Sequence, residues 1–433
     1  MANADRSEIL FEDKKPPLNR AQATIEANRC LYCADAPCIK ACPTAIDIPE
    51  FIRKISTGNV SGSARTIFSS NILGMSCARV CPVEVLCVGA CVYNVMGVEP
   101  IQIGKLQRYS TDMAFEKGWS FFTAGEESGK SVALVGAGPA SLACAHELRV
   151  LGHAVTLYDK RPVSGGLNVT GVAPYKLKVD DAESEWAWVS KIGGISVATG
   201  IEVGKDLSWA DLQRKHQAVF LGFGLGEDAR LMVPGEELSG IEGAVAFIER
   251  MKLSLVSLEG VKRALVIGGG NTALDAVREL KGLGIADVAL VYRGSEAGMS
   301  GYQHEWAHAK IECCRAHWHV QPLGFEGAGR VSGVVVTSLD ENKRPIHGSE
   351  HVLPADLVLL AIGQAKLGHL VEALPGVKVE HGRVLHDGSG RTGAPGVFAG
   401  GDCANGGKEV VNAAAEGKAA AHAIDTYLRG THG

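Results

Sequence analysis

An α-helical N-terminal segment followed by two α/β domains, one inserted in the other, is the architecture predicted for this chain, and three observations predict it. Eight of its twelve cysteines fall between Cys30 and Cys91; a strand, glycine turn and helix pattern begins at Val132 as VALVGAGPAS; and a second copy begins at Ala264 as ALVIGGGNTALDAVREL. A buried strand ending in such a turn aims main-chain N–H groups and a helix N-terminus at a pyrophosphate, so each copy reads as a Rossmann-like dinucleotide loop. One copy alone is weak evidence, since many α/β folds carry a glycine-rich turn. Two nested copies support each other.

The bulk numbers narrow the class. A chain of 433 residues holds about three domains of ordinary size. A net charge of −5 and a pI near 6.3 argue against nucleic acid or an anionic membrane surface as a partner. The first residues, MANADRSEILFEDKK, are too charged for a secretion signal, and no run of about 18 apolar residues is uninterrupted, so a cytoplasmic protein with no membrane span is expected. Its 54 glycines exceed the usual share of about 7%, as repeated nucleotide turns would require. Twelve cysteines without an export signal point to metal or redox chemistry rather than structural disulfides.

Residues 1–125 form the first expected domain. Cys30, Cys33, Cys38 and Cys42, followed by Pro43, give one run; Cys77, Cys81 followed by Pro82, Cys87 and Cys91 give another. Zinc competes for such thiolates. Closely spaced runs ending in Cys-Pro are the mark of cubane sites in which the fourth cysteine ligates the other cluster, and two [4Fe-4S] clusters are expected. Ile48–Ile55 and Ser61–Ile72 have helical spacing of apolar residues, Tyr32, Phe51 and Tyr109 read as packing, and 118–130 reads as a linker.

This segment resembles the N-terminal region of dihydropyrimidine dehydrogenases, and most of all the flavin/NAD subunit of the two-subunit bacterial enzymes, the PreT type. The matching stretches are RCLYCADAPCIKACP, CARVCPVEVLCVGAC and PIQIGKLQRYSTD. The glutamate synthase small subunit shares the architecture, with a second cysteine block spaced differently. The resemblance implies crossed ligation: Cys30, Cys33, Cys38 and Cys91 on one cluster, and Cys42, Cys81, Cys87 and Gln107 on the other. A neutral amide in place of a thiolate raises a cluster's potential. Spacing alone nominates Cys77 instead of Gln107.

The flavin domain is expected in two pieces, 126–227 and 355–433. Val132–Val135 is its first strand, Gly136 and Gly138 make the turn, Leu142–Leu151 the helix, and Ser141 stands where the motif has Gly or Ala, a small change in volume. Asp159, ending the strand Ala154–Tyr158, is placed to hold a ribose hydroxyl. SGGLNVTGVAPYKL resembles the GGL turn of this flavoprotein group, with Gly166 and Leu167 as flavin contacts. Trp186 and Trp188 read as packing, and AVFLGFG from Ala218 as a buried strand. From Pro354 onward, ADLVLLAIGQ gives one more strand. GVFAGGDCANGGKEVVNAAAEGKAAAHAI resembles a C-terminal flavin signature, in which Gly401 turns the chain, Asp402 accepts from a ribityl hydroxyl and Val410–Ile424 is a helix. FAD is the flavin expected, and Cys403 reads as a bystander.

The inserted domain, 228–354, carries Gly268, Gly270, Asn271 and Ala273 in its loop, with Val288–Tyr292 as the next strand. That strand ends at Arg293, which suits a 2′-phosphate. NADPH-using relatives usually place a second arginine nearby, where this chain has Gly294 and Ser300, so NAD(H) is expected over NADP(H). Cys313 and Cys314 are adjacent, and no CxxC for disulfide exchange is present. His304, Glu305, His308, His317 and His319 read as a solvated face rather than a metal site.

The expected function follows. Hydride passes from NADH to FAD, and electrons leave singly through two clusters; no catalytic acid, base or nucleophile is nominated. The resembling enzymes reduce uracil or thymine at an FMN site in a separate barrel subunit with further Fe–S clusters. This chain carries neither that barrel nor a pyrimidine loop, so a hetero-oligomeric partner is expected. The alternatives are the same module feeding glutamate synthase, a ferredoxin, or a molybdenum or tungsten oxidoreductase, and a non-catalytic Fe–S scaffold.

Overall fold

A computed structural model describes residues 6–430. Residues 1–5, part of the expected helical domain and of the charged N-terminal stretch, and residues 431–433 lie outside the described residues. The described chain divides into two compact units, one of residues 13–169, 179–225 and 366–430, the other of residues 6–12, 170–178 and 226–365.

The larger unit begins with helices that start where the sequence supplies caps. Asn19 and Gln22 make a reciprocal capping box ahead of Arg20–Asn28, Asp47 caps Ile48–Ser56 with Pro49 in its first turn, and Asn59 caps Val60–Ser70. Ile48, Phe51, Ile52 and Ile55 recur at helical spacing and are all buried. Helices Gly74–Val80 and Ile103–Glu116 complete this part. A five-stranded parallel sheet follows, in the order Val397–Ala399, Ala218–Leu221, Ser131–Val135, Ala154–Asp159, Ile195–Thr199. Its central strands are apolar runs because helices cover the sheet. Helices Pro139–Val150 and Val410–Gly430 lie so close that a Cβ on Gly417 would sit 2.0 Å from the Ala140 carbonyl oxygen.

The stretch 118–130 has no regular structure, yet it is pinned. Trp119, Phe121 and Phe122 pack on the core beside Phe68 and Trp188, and Trp188 Nε1 donates to the Trp119 carbonyl at 2.9 Å. The linker reading is corrected there: its aromatics bury apolar area that a free linker exposes.

The smaller unit holds a second five-stranded parallel sheet, Ile241–Gly243, Leu357–Leu360, Arg263–Ile267, Asp287–Tyr292, Arg315–Trp318. An antiparallel sheet of Val320–Gly327, Val331–Ser338 and His351–Pro354 follows it. Two corrections to the boundary at 355 arise here. Leu357–Leu360, expected in the flavin domain, pairs in parallel with Ala264–Ile267, and the chain returns to the larger unit only at Lys366. A fully buried apolar strand fits either sheet, so its composition carries no address. Residues 170–178 also belong to the smaller unit, fastened by Lys176 to Asp275 and Glu305 at 2.8 and 3.1 Å and by Lys252 Nζ donating to the Val172 and Leu177 carbonyls.

Among the described residues no helix is long and apolar enough to cross a membrane.

Candidate functional site

The first glycine turn is built by contact with the main chain just past the neighbouring strand Ala218–Leu221. Gly136 has φ +97, and a Cβ there would lie 2.8 Å from the Gly222 carbonyl oxygen and the Phe223 Cα. Gly138, by contrast, is open: an added Cβ meets nothing nearer than Gly166 Cα, at 3.9 Å. Gly138 is also the cap residue of the helix Pro139–Val150, so free space lies against a helix N-terminus, the arrangement that suits a phosphate. Ser141 is buried between this helix and the sheet, its Oγ 2.2 Å from where a Cβ on Gly222 would stand, so it acts as a small spacer.

Asp159 reaches back to the loop. Its Oδ2 accepts from Ala137 N at 2.7 Å and its Oδ1 from Arg161 N at 2.8 Å, which fixes the carboxylate beside the turn with lone pairs to spare. Gly166, at φ +55, folds against Gly138, Gly165, at φ +110, donates its N–H to the Ala137 carbonyl at 2.8 Å, and Leu167 opens the short helix Leu167–Thr170. From the C-terminal stretch, Gly401 at φ +78 approaches Ala140, its N–H held by Glu416 at 2.7 Å. Asp402 is the first residue of the turn of helix that follows; burial, with Glu416 and Glu409 nearby, pushes its carboxyl up to about 6. The glycine loop, the GGL turn and the C-terminal stretch thus share one edge of the parallel sheet. This edge fits FAD: open space at a helix N-terminus for a pyrophosphate, and carboxylates at Asp159 and Asp402 for hydroxyls.

In the smaller unit the second copy repeats the geometry. Gly268 has φ +146 with the Ala361 carbonyl oxygen 2.2 Å from an added Cβ; Gly270 is open, with Ser300 Oγ at 3.8 Å; and Ala273 is buried under the helix Asn271–Gly282. Asn271 is engaged, its Oδ1 accepting from Tyr302 N at 3.0 Å, and Arg293 is exposed at the strand end. The site fits a second dinucleotide. The histidine group needs one correction: Glu305 is buried and ion-paired to Arg278 at 2.7 Å as well as to Lys176, because cations from neighbouring segments cover that helix face. His308 is solvated, and His304 is half-buried.

The cysteines separate into two neighbourhoods. Cys30, Cys33, Cys38 and Cys91 line one cavity with Ile48, Ile52 and Tyr93, so the last cysteine of the second run sits among the first. Burial and mutual repulsion push the Cys38 thiol up to about 11, with Cys30 and Cys91 as its thiol neighbours. Cys81 is held well above the ordinary thiol range by Cys77, burial, Cys87 and Cys42, and Cys87 is pushed up to about 12 by burial and Cys42. Thiols kept neutral this way become thiolates when a cationic centre compensates them. Four thiols around one cavity fit a cubane, which spreads its ligands over four irons.

Of the two eighth-ligand candidates, Cys77 stands beside Cys81 and Gln107 is tied to the main chain just ahead of Cys77. Cys77 is buried against Cys81, while Gln107, also buried, donates from Nε2 to the Gly74 carbonyl at 2.8 Å, which directs its Oε1 elsewhere. Sequence reasoning missed two supports. Glu416 braces the turn at Gly401, and Glu185 braces the segment ahead of Cys77; nothing in their local sequence marks them, since both act on residues far along the chain.

Known proteins resemble this chain in both of its parts. Residues 6–119 match the family described as dihydropyrimidine dehydrogenase domain II, 4Fe-4S cluster, and residues 130–417 match pyridine nucleotide-disulphide oxidoreductase. The glutamate synthase [NADPH] small chain of Escherichia coli is 36% identical over 451 residues, covering 97% of this chain and 94% of that one. The NAD-dependent dihydropyrimidine dehydrogenase subunit PreT homolog of Salmonella typhi is 34% identical over 426 residues, covering 96% and 97%. Among solved structures, thioredoxin reductase from T. acidophilum matches with a TM-score of 0.56 at 21% identity, covering 69% of this chain and 98% of that one, a likeness of fold.

Proposed function

On the premise that the chain belongs to the pyridine nucleotide-disulphide oxidoreductase family, and is an iron–sulfur flavin oxidoreductase of the PreT and glutamate synthase small subunit type, we propose that it is an electron-input subunit working from NADH. It takes hydride from NADH onto FAD and passes single electrons through two [4Fe-4S] clusters to a catalytic partner. The partner proposed is an FMN-containing, Fe–S dihydropyrimidine dehydrogenase subunit that reduces uracil or thymine.

The observation that carries the reading is the cavity in which Cys91 joins Cys30, Cys33 and Cys38, together with the two open glycine turns. In this reading Cys30, Cys33, Cys38 and Cys91 hold one cluster, and Cys42, Cys81, Cys87 and Gln107 the other. Gly136, Gly138, Gly166, Leu167, Gly401, Asp159 and Asp402 bind FAD, with Ser141 letting helix and sheet close up. Gly268, Gly270, Asn271 and Ala273 bind NAD(H), with Arg293 at the ribose end. Bound flavin supplies the exchange between a two-electron donor and one-electron acceptors; the residues supply position, and no side-chain acid or base is required of them.

Anaerobic purification with counts of iron, sulfide and flavin tests the cofactors. Two cubanes and one FAD per chain are expected; zinc, or colourless protein, defeats the reading. Relative kcat/KM for NADH and NADPH tests the donor, with NADH expected to lead. Uracil reduction on adding an FMN subunit tests the partner. The 36% identity to a glutamate synthase small chain supports a second reading, the same module feeding glutamate synthase, and oxidation of NADH with that large subunit that requires both glutamine and 2-oxoglutarate would favour it.

A further inference from the structure

Three segments of the larger unit that are distant in sequence meet at Gly74–Ser76, just ahead of Cys77 and Cys81. Glu185 accepts from Met75 N and Ser76 N, both at 3.0 Å, and from the Ser76 hydroxyl. Asn168 Nδ2 donates to the same Ser76 oxygen at 3.2 Å, and Asn168 follows directly on the Gly165, Gly166, Leu167 turn. Gln107 Nε2 donates to the Gly74 carbonyl. Asn168, Ser76, Glu185 and Gln107 are all buried.

A local cap is the ordinary way to satisfy such N–H groups, but Leu73 provides none here. The chain instead brings a carboxylate from 110 residues away and buries it, which is costly unless the charge or its proton is well compensated. Arg79, held between Asp112 at 2.7 Å and Asp181 at 3.5 Å, supplies a nearby positive charge. The result is an unbroken path of covalent and hydrogen bonds from the flavin turn to the segment that carries the cluster ligands. Electron tunnelling weakens less along such a path than across a gap.

We propose that Asn168, Ser76 and Glu185 are positioning residues: they lock the segment Gly74–Ser76 to the flavin turn and form the bridge along which electrons reach the cluster on the Cys42, Cys81 and Cys87 side. This rests on the function proposed above. The step moves one electron from reduced flavin to an oxidised cubane; no bond of the bridge forms or breaks, and its protons stay in place.

The test uses the full chain loaded with flavin and clusters, mixed anaerobically with NADH. Flavin bleaching and the growth of the reduced-cluster paramagnetic signal are timed separately, and amide hydrogen exchange at Met75 and Ser76 is measured without NADH. Ser76→Ala and Glu185→Gln are expected to slow the cluster phase about tenfold while flavin bleaching keeps its rate, with faster exchange at the two amides and recovery in Ser76→Thr. An unchanged cluster phase in both variants despite faster exchange would overturn the bridge, leaving only a structural clamp. Should those variants lose iron, Asn168→Ala, which leaves Gly74–Ser76 intact, decides the matter: a slowed cluster phase supports the bridge and an unchanged one overturns it. A wild-type chain whose clusters stay oxidised under NADH defeats the parent reading instead, and is recognised because the unmodified protein shows it.

Discussion

The two glycine turns share a pattern and differ in what braces them. Each presses its first glycine onto main chain, Gly136 onto Gly222 and Gly268 onto Ala361, and leaves its second glycine open at a helix N-terminus. The first turn is then closed by its own sheet: Asp159 holds Ala137 N–H, and Gly401, steadied by Glu416, approaches from the C-terminal stretch. The second is braced from a following loop, with Ser300 Oγ and Gly301 N on the Gly269 carbonyl and Tyr302 N on Asn271, and its strand ends in the exposed Arg293. A site enclosed by segments from both ends of a sheet suits a resident cofactor, and one open at its ribose end suits a ligand that exchanges.

The sharpest way to break this contrast is to spoil the turns one at a time. Gly136→Val adds a branched side chain at φ +97 against main chain, and is expected to cost about 3 kcal/mol or more and to abolish bound flavin, read by absorbance and melting. Gly268→Val is expected to keep flavin and iron while NADH reduction falls on the order of 100-fold, read by stopped-flow. If Gly268→Val loses its flavin as well, the turns are not independent sites.

A smaller effect is expected at Asp159. Asp159→Ala strands two backbone N–H groups and should weaken flavin retention by roughly 1–3 kcal/mol, measured as release on dilution, with Asp159→Asn in between.

Glu185 gives a pH signature in flavin-free protein. Burial pushes its carboxyl up to about 7, so the folded chain binds more protons than the unfolded one between about 4.5 and 7. Stability from this group is therefore full at the acid end of that window and falls as pH rises through it. Melting of wild type should drop across the window relative to Glu185→Gln, by roughly 1–3 kcal/mol; parallel curves would contradict the assignment.

The smallest effect belongs to Arg293. Arg293→Ala should leave flavin content unchanged and lower kcat/KM for NADPH by a few-fold more than for NADH, since one exposed guanidinium discriminates weakly.

What the sequence made legible was whatever is local. Both glycine turns, their strands and helices, the helix over Ile48–Ile55 and the capped starts at Asp47 and Asn59 depend on residues within one or two turns of each other. Leu357–Leu360 pairs with the smaller unit's sheet rather than the flavin sheet, because four buried apolar residues say strand without saying which neighbour. Nothing local separates residues 170–178 from the flavin domain, since their anchors, Asp275, Glu305 and Lys252, lie far along the chain. Glu185 and Glu416 escaped notice for the same reason: a carboxylate that serves distant backbone looks in sequence like any surface acid.

The most direct test of the account is to add NADH to the purified chain without oxygen and follow flavin absorbance and the cluster signal in one sample. The account predicts that flavin bleaches first and that reduced cubanes then appear in the same molecules. Bleached flavin beside clusters that remain oxidised would contradict it.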